Sequence, residues 1–342
     1  MSGKLQWLRH LLRFGVLLAL VLIPLLAHYR IAVEQHQIER IHNEGAANTA
    51  ESILLVVDSI FATGPDVESE GASDRELRAS ASAQINQVQG NVWSFSIFGL
   101  SWTDLLAGVE SMFTSKTILW AALWGMLLPI GLTLLFGRIF CSWICPAGFL
   151  FELGDAIRKR LPKALNLPKR RPVWHGHKYV LLVVGLLMSA VWGMPLLGML
   201  YPPALLGRES HAMLDSLFGA AGVISLTGVS LFLFVLLMVE ILLSPRMWCR
   251  SLCPGGALYG VLGARRVFRV KNDFAACTQC AACIKACPMG LNPMSDALGI
   301  ECDNCLACLP SCQPDALHIK AGLFPSAESA DSAKRSQTGG NQ

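Results

Sequence analysis

Cys277-Thr-Gln-Cys280-Ala-Ala-Cys283-Ile-Lys-Ala-Cys287-Pro288, followed after a short linker by Cys302-Asp-Asn-Cys305-Leu-Ala-Cys308-Leu-Pro-Ser-Cys312, is the stretch on which the reading of this chain turns. Each run spaces its cysteines C-x-x-C-x-x-C-x-x-x-C, the spacing by which paired 4Fe-4S clusters are held. In such a pair the first three thiolates of a run serve one cluster and the fourth crosses to the other. Cys277, Cys280, Cys283 and Cys312 are then the ligands of cluster one, and Cys302, Cys305, Cys308 and Cys287 those of cluster two. A zinc ribbon also uses Cys-x-x-Cys, but it needs two such arms apart in sequence; here three thiolates crowd one centre and the fourth leaves it. Pro288 follows the first run directly, whereas Gln313 precedes Pro314 after the second, which leaves the turn after Cys312 open. The linker, with Pro293 and Gly299, suits a compact unit with little core beyond its clusters.

Around this stretch the composition is not that of an ordinary soluble protein: 53% of the 342 residues are hydrophobic and only 15% charged. Residues 14–33, 118–136, 179–200 and 223–243 have the length and apolarity of membrane spans, at about twenty residues each. His28, near the outer end of the first, and Glu240, near the end of the fourth, are their notable ionisable groups. Arg158, Lys159, Arg160, Lys163, Lys169, Arg170, Arg171 and Lys178 share one acid-free loop (within 137–178), which the positive-inside rule puts in the cytoplasm. Lys4, Arg9 and Arg13 put the N-terminus (1–13) there too, and an even number of spans returns the C-terminal part to the same side. Segment 34–117, where acids outnumber Arg40, Arg75 and Arg78, and the loop 201–222 then face the periplasm. All twelve cysteines fall on the reducing side, where thiolates bind iron instead of pairing. The first span could be taken for a signal peptide, but no A-x-A site follows it and helical sequence continues through Tyr29 to Ile41. The expected fold is mainly α: a four-helix polytopic membrane domain with a C-terminal two-cluster ferredoxin-like α+β domain at 271–322 and a disordered tail at 323–342, in a bacterial inner membrane.

The membrane part is duplicated. Arg138-Ile-Phe-Cys141-Ser-Trp-Ile-Cys145-Pro146-Ala-Gly148 aligns without gaps on Arg246-Met-Trp-Cys249-Arg-Ser-Leu-Cys253-Pro254-Gly-Gly256, each copy following a span that runs inward (the second within 244–270). Two parallel helical hairpins related by an axis along the membrane normal would produce this. In a helix i and i+4 share a face, so Cys141 with Cys145 and Cys249 with Cys253 would present paired sulfurs, while Pro146 and Pro254 suit the first turn of a new helix or a break. Redox-active thiols and a third cluster are the functional readings; packed thiols at a helix turn are the bland one. On the outer side, residues 34–61 read as helical, 62–89 as a flexible loop, and 93–108 as an interfacial helix or an ordinary packed one.

No histidine lies in the interior of a span and no C-x-x-C-H is present, which argues against haem. Neither G-x-G-x-x-G nor a P-loop offers a nucleotide a seat, and nothing points to nucleic acid. A lipid-soluble quinone is then the expected redox partner. Glu240 is the candidate proton acceptor, with ion pairing to Arg246 or Arg138 as the alternative. Trp143, Trp248 and Phe140 either flank a quinone ring or form the aromatic belt. The four spans, the two C-x-x-x-C-P motifs and the C-terminal cysteine runs together closely resemble the NapH family, from about Trp93 to Ile319. That resemblance implies a membrane iron-sulfur component of a quinol dehydrogenase, passing electrons through partner proteins toward a periplasmic reductase. The same core occurs in the NosR and CcoG proteins, tied to metalloenzyme maturation or support, so a redox assembly factor is the alternative function. The long acidic segment 34–89 departs from the NapH pattern and leaves the partner open.

Overall fold

The computed structural model describes residues 2–46, 48–62, 88–91, 94–97, 100–161, 174–218, 227–295 and 298–322. The loop expected at 62–89 lies outside them except at its ends. The tail, the basic residues Lys163, Lys169, Arg170 and Arg171 and the start of the 223–243 span lie outside them entirely.

Helix α1 spans Ser2–Glu34. Its stretch Lys4–Glu34 is the one helix among the described residues long and apolar enough to cross a membrane. After a left-handed turn at His36 (φ 55°), α2 (Gln37–Glu44) and α3 (Thr49–Ala62) pack back on the end of α1. Ile38, Ile41, Leu54 and Val57 bury themselves around Tyr29, whose hydroxyl donates to Asp58 Oδ1 at 2.9 Å.

Where an interfacial helix was expected, the chain makes an antiparallel meander of β1 (Val88–Asn91), β2 (Ser94–Ile97) and β3 (Leu100–Thr103). Ser94-Phe-Ser-Ile and Leu100-Ser-Trp-Thr alternate with period two, the strand period, and this local pattern outweighs the overall apolarity that suggested a helix. Helix α4 (Leu105–Ser115) starts only at Asp104, whose Oδ2 accepts from Leu106 N at 3.0 Å and Ala107 N at 3.3 Å as an N-cap.

The duplicated halves follow. The first is α5 (Trp120–Phe136), α6 (Ile139–Trp143) and α7 (Pro146–Arg160). After α8 (His177–Trp192) and α9 (Pro202–Phe218), the second is α10 (Gly228–Leu242), α11 (Met247–Ser251) and α12 (Pro254–Leu262). Helices α5, α8 and α10 are apolar but shorter than α1. Finally β4 (Phe268–Asn272) pairs antiparallel with β5 (Leu317–Ala321), from Phe268↔Ala321 to Asn272↔Leu317. This ribbon brings together the entry to and exit from the cysteine runs, which enclose α13 (Ala282–Ala286).

Segments expected on opposite membrane faces meet in the interior. Tyr259 of α12 donates to Asp104 Oδ1 at 2.7 Å, and Leu106, Leu197, Tyr201 and Cys253 share one buried cluster. The segments before α5 and before α10 therefore fold back toward the repeats, and glycines let the backbones close. A Cβ on Gly255 would lie 2.5 Å from the Tyr201 ring, and one on Gly185 would run into the Leu197 side chain. Both returning helices carry Gly-x-Glu-Ser, at Gly108–Ser111 and Gly207–Ser210, and both glutamates are buried. Glu110 accepts from Leu197 N at 2.6 Å and Gly198 N at 2.9 Å, while Glu209 accepts from Thr227 Oγ1 at 2.6 Å at the start of α10.

A Cβ on Gly125 would sit 2.5 Å from Thr103 Oγ1 and 3.2 Å from its backbone nitrogen. Gly125→Leu is expected to lift β3 from α5 at a cost of about 1–3 kcal/mol, the range for overpacking. Thermal unfolding in detergent reads this as a lowered midpoint; an unchanged midpoint would contradict the packing.

Candidate iron-sulfur centre

The two cysteine runs share one backbone pattern. Gln279 and Ala281 in the first, and the corresponding Asn304 and Leu306 in the second, all take positive φ, at 55°, 57°, 48° and 59°. Non-glycine residues in this region cost on the order of 1–3 kcal/mol each and persist where the surroundings require them. Alternating right- and left-handed residues turn successive backbone N–H groups into a concavity that suits an anion. The turn left open by Gln313 is the same in both runs: Gly290 (φ 72°) and Asp315 (φ 50°) correspond. Their N–H groups donate to Cys287 O at 3.2 Å and Cys312 O at 3.3 Å.

Within the runs the sulfurs raise one another's thiols. Burial raises the Cys283 thiol, and Cys312 and Cys277 add to the shift. Burial pushes Cys302 to about 11 and Cys308 to about 12, and Cys287 contributes to both. Cys308 also feels Cys283, as neighbouring sites would. At the other extreme, the exposed Cys280 thiol is lowered by the Ala282 N–H.

The second run is set into the repeats. Arg138 Nη1 meets Glu301 Oε2 at 2.9 Å and Arg246 Nη1 meets Asp303 Oδ2 at 3.3 Å. The arginine that precedes each C-x-x-x-C-P motif thus grips one of the two acids flanking Cys302. Ser142 Oγ donates to Asp303 O at 2.6 Å and Trp143 Nε1 to Asn304 O at 3.1 Å. From α1, Arg9 Nη1 donates to Cys305 O at 2.9 Å. Lys178 and Tyr179 also reach Glu301, the latter at 2.7 Å. Beneath these contacts Glu152 binds Arg9, Arg13 and Arg246. Burial works against the Glu152 charge, yet the three arginines hold the carboxyl at about 2. Sequence reading missed Glu301, Asp303, Glu152 and Lys178; the acids on either side of Cys302 were the available signal.

The paired cysteines do not lie on continuous helices. Cys141 and Cys249 sit in α6 and α11, and the chain breaks before Cys145 and Cys253, which are N-caps of α7 and α12. Pro146 and Pro254 occupy the first turn, where no N–H is needed. Each capping sulfur accepts a glycine N–H at 3.4 Å, from Gly148 or Gly256. Cys145 packs against the buried cluster that holds Cys253, though no three of the motif sulfurs are grouped closely enough to hold a metal ion. Burial raises the Cys145 thiol, with Cys141 and Cys253 adding to it, and Cys249 likewise feels Cys253 and Cys145. Glu240, 3% exposed, accepts from Met247 N at 2.9 Å and Trp248 N at 2.6 Å. It caps the short helix that carries Cys249, while Arg138 and Arg246 pair with other acids.

Among the described residues no three ligating side chains are grouped closely enough to hold one metal ion. It is the chemistry of the donors that suits iron-sulfur clusters, eight thiols on two matching loops with the buried Arg266 Nε left without a partner near Cys302. Such N–H groups suit an anionic group. A family model described as a 4Fe-4S binding domain matches residues 118–164 and 226–272, which hold the paired motifs and stop short of the C-terminal runs. A ferredoxin-type protein NapH of Escherichia coli is 32% identical over 246 residues, covering 68% of this chain and 79% of that protein. NapH of Haemophilus influenzae is 34% identical over 51% of this chain and 59% of its own length. The methylamine utilization ferredoxin-type protein MauN of Methylobacillus flagellatus is 32% identical over 58% of this chain and 66% of its own. No solved structure matches. Fold, donor set and relatives define a membrane-associated, ferredoxin-type iron-sulfur electron-transfer protein with 4Fe-4S clusters. The chain belongs to the NapH-type family of ferredoxin-type proteins.

Glu301→Gln leaves Arg138 and Lys178 buried without their carboxylate, which is expected to cost about 3–5 kcal/mol. Thermal unfolding and iron retention after gel filtration both report it. Adding Arg138→Met should recover part of the loss, and a single variant as stable as the parent would contradict the pairing.

Proposed function

We propose that the chain is a four-span component of a quinol dehydrogenase, with both termini cytoplasmic, that passes electrons toward a periplasmic reductase through partner proteins. Its proposed ligand sets are Cys277, Cys280, Cys283 and Cys312 for one 4Fe-4S cluster and Cys302, Cys305, Cys308 and Cys287 for the other. Bound clusters supply reversible one-electron transfer. The observation that carries the reading is the clasp around Cys302, where arginines of both repeats fix the second run at the ends of apolar helices. The buried second run faces the helices while Cys280 of the first is exposed, as expected of a protein with one membrane-side and one partner-side contact.

Support for four spans comes from α1, from the three shorter apolar helices and from the basic loop. Helices α5, α8 and α10 have 17, 16 and 15 residues. At 1.5 Å per residue they fall short of the roughly 30 Å hydrocarbon core. The segments that fold back beside them shield the remaining depth, since irregular backbone is tolerated in a bilayer where protein surrounds it. The paired Cys141, Cys145, Cys249 and Cys253 are proposed as a further redox thiol or ligand set. Glu240 lies within charge reach of Cys249 and is proposed to take a quinol proton in addition to capping α11.

Anaerobic mixing with a short-chain quinol is expected to bleach the iron-sulfur absorbance of the purified protein; no bleaching would remove the quinol reading. Cys283→Ala should lose about half the iron, because each cluster holds four, and retention of both clusters would contradict the ligand sets. Glu240→Gln should slow the bleaching with iron content unchanged. An equal rate would leave Glu240 as a cap alone.

A further inference from the structure

We propose that a cavity of about 310 Å³ between α1, α6 and the β4–β5 ribbon seats the ring of a lipid-soluble quinone. This rests on the quinol-linked reading above and gives it a location. The walls are almost wholly apolar: Leu5 of α1, Phe136 closing α5, Trp143 of α6, Phe268 of β4 and Ile319 of β5, with Leu306 at one side. The volume is at the lower end of the roughly 300–1,000 Å³ usual for small-molecule sites, room for a ring system and the start of a tail.

Three features select a flat, lipid-borne ring. Phe136 and Phe268 stack at 4.9 Å with an interplanar angle of 11°, and Trp143 is fixed by its Nε1–H bond to Asn304 O, so the walls are rigid and aromatic. Leu306 lies between Cys305 and Cys308, which puts the cavity against the second cysteine run. The lining residues have exposed apolar neighbours in sequence: Leu8, one turn beyond Leu5, and Leu134 and Leu135, just before Phe136, are 41%, 45% and 43% exposed. A prenyl tail would lie along these side chains.

Polar groups in the lining are few. Asn304 Nδ2 is committed to Phe136 O at 2.7 Å and Phe268 O at 2.9 Å, which ties the wall together. Arg269 is committed elsewhere, its Nε to Arg266 O at 2.9 Å and its Nη2 to Ala264 O at 3.3 Å, so it lends the lining little polar surface. A phosphate-bearing ligand would need free cations that this lining does not offer, whereas the faces of a quinone ring need only apolar and aromatic walls.

The test uses the full chain in lipid nanodiscs with its iron-sulfur content intact and a photoreactive azido-quinone. The expected result is labelling of peptides carrying Trp143, Phe268 to Val270 or Leu306, suppressed by excess unmodified quinone and not by a prenyl alcohol. Ile319→Trp and Leu5→Trp, which fill the cavity away from the cysteines, should lower that labelling at least tenfold with iron content unchanged. Labelling elsewhere, with quinol bleaching intact, would overturn the site and leave the quinol reading standing. Equal suppression by the prenyl alcohol would make the cavity an acyl-chain cleft and overturn the proposal. Absence of both labelling and quinol bleaching would overturn the quinol reading and the site with it.

Discussion

Two buried arginine–acid pairs straddle Cys302, and the arrangement of the whole molecule depends on them. Arg246 and Asp303 are 4% and 3% exposed. Taking such charges from water costs several kcal/mol per ion, and their attraction repays this only in good geometry with further hydrogen bonds. Those bonds are present: Ser142 and Trp143 bind the backbone of Asp303 and Asn304, Arg9 that of Cys305, and Arg266 that of Cys302 at 3.2 Å. The clasp thus contributes less to net stability than to register, since no shifted docking would satisfy both arginines. The cysteine unit has little core of its own, and Trp143 completes it together with Val270, Cys283, Leu298, Leu306 and Leu317.

The duplication explains why the clasp is double. Arg138 and Arg246 hold corresponding places before the two C-x-x-x-C-P motifs, and the cysteine unit offers each an acid. The structure extends the repeat beyond those motifs, to the Gly-x-Glu-Ser of α4 and α9 that precedes each apolar helix. In each half a returning helix, an apolar helix, a five-residue turn of helix and a proline-started helix follow in order. Asp104, Tyr201 and Tyr259 gather where the halves meet, with the motif sulfurs beside them.

What the sequence made legible was local. The cysteine spacing pointed to matching loops, and the backbone of Gln279, Ala281, Asn304 and Leu306 repeats as that spacing requires. The duplicated motif was visible because the eleven positions from Arg138 to Gly148 align without a gap on Arg246 to Gly256. Period two in Ser94–Thr103 was equally local but was hidden by the apolar character of the segment. The helix break before Cys145 was legible in Pro146, since a proline at the first turn makes the preceding residue a cap. Contacts between distant positions were beyond such a reading. Nothing near Glu301 or Asp303 names Arg138 or Arg246 as partner, and nothing near Asp104 names Tyr259. The family model sharpened this from the other side: its matches fall on the paired motifs, whose role sequence reading left open.

The central claim is that the eight sulfurs from Cys277 to Cys312 hold iron at the joint between the cysteine unit and the repeats. Iron and acid-labile sulfide counts on protein purified without oxygen, with the electron paramagnetic resonance of the reduced sample, test it most directly. About eight irons and eight sulfides per chain with two interacting signals are expected, and about twelve of each would add a third cluster on the paired cysteines. Colourless protein, or protein holding zinc in place of iron and sulfide, would contradict the account.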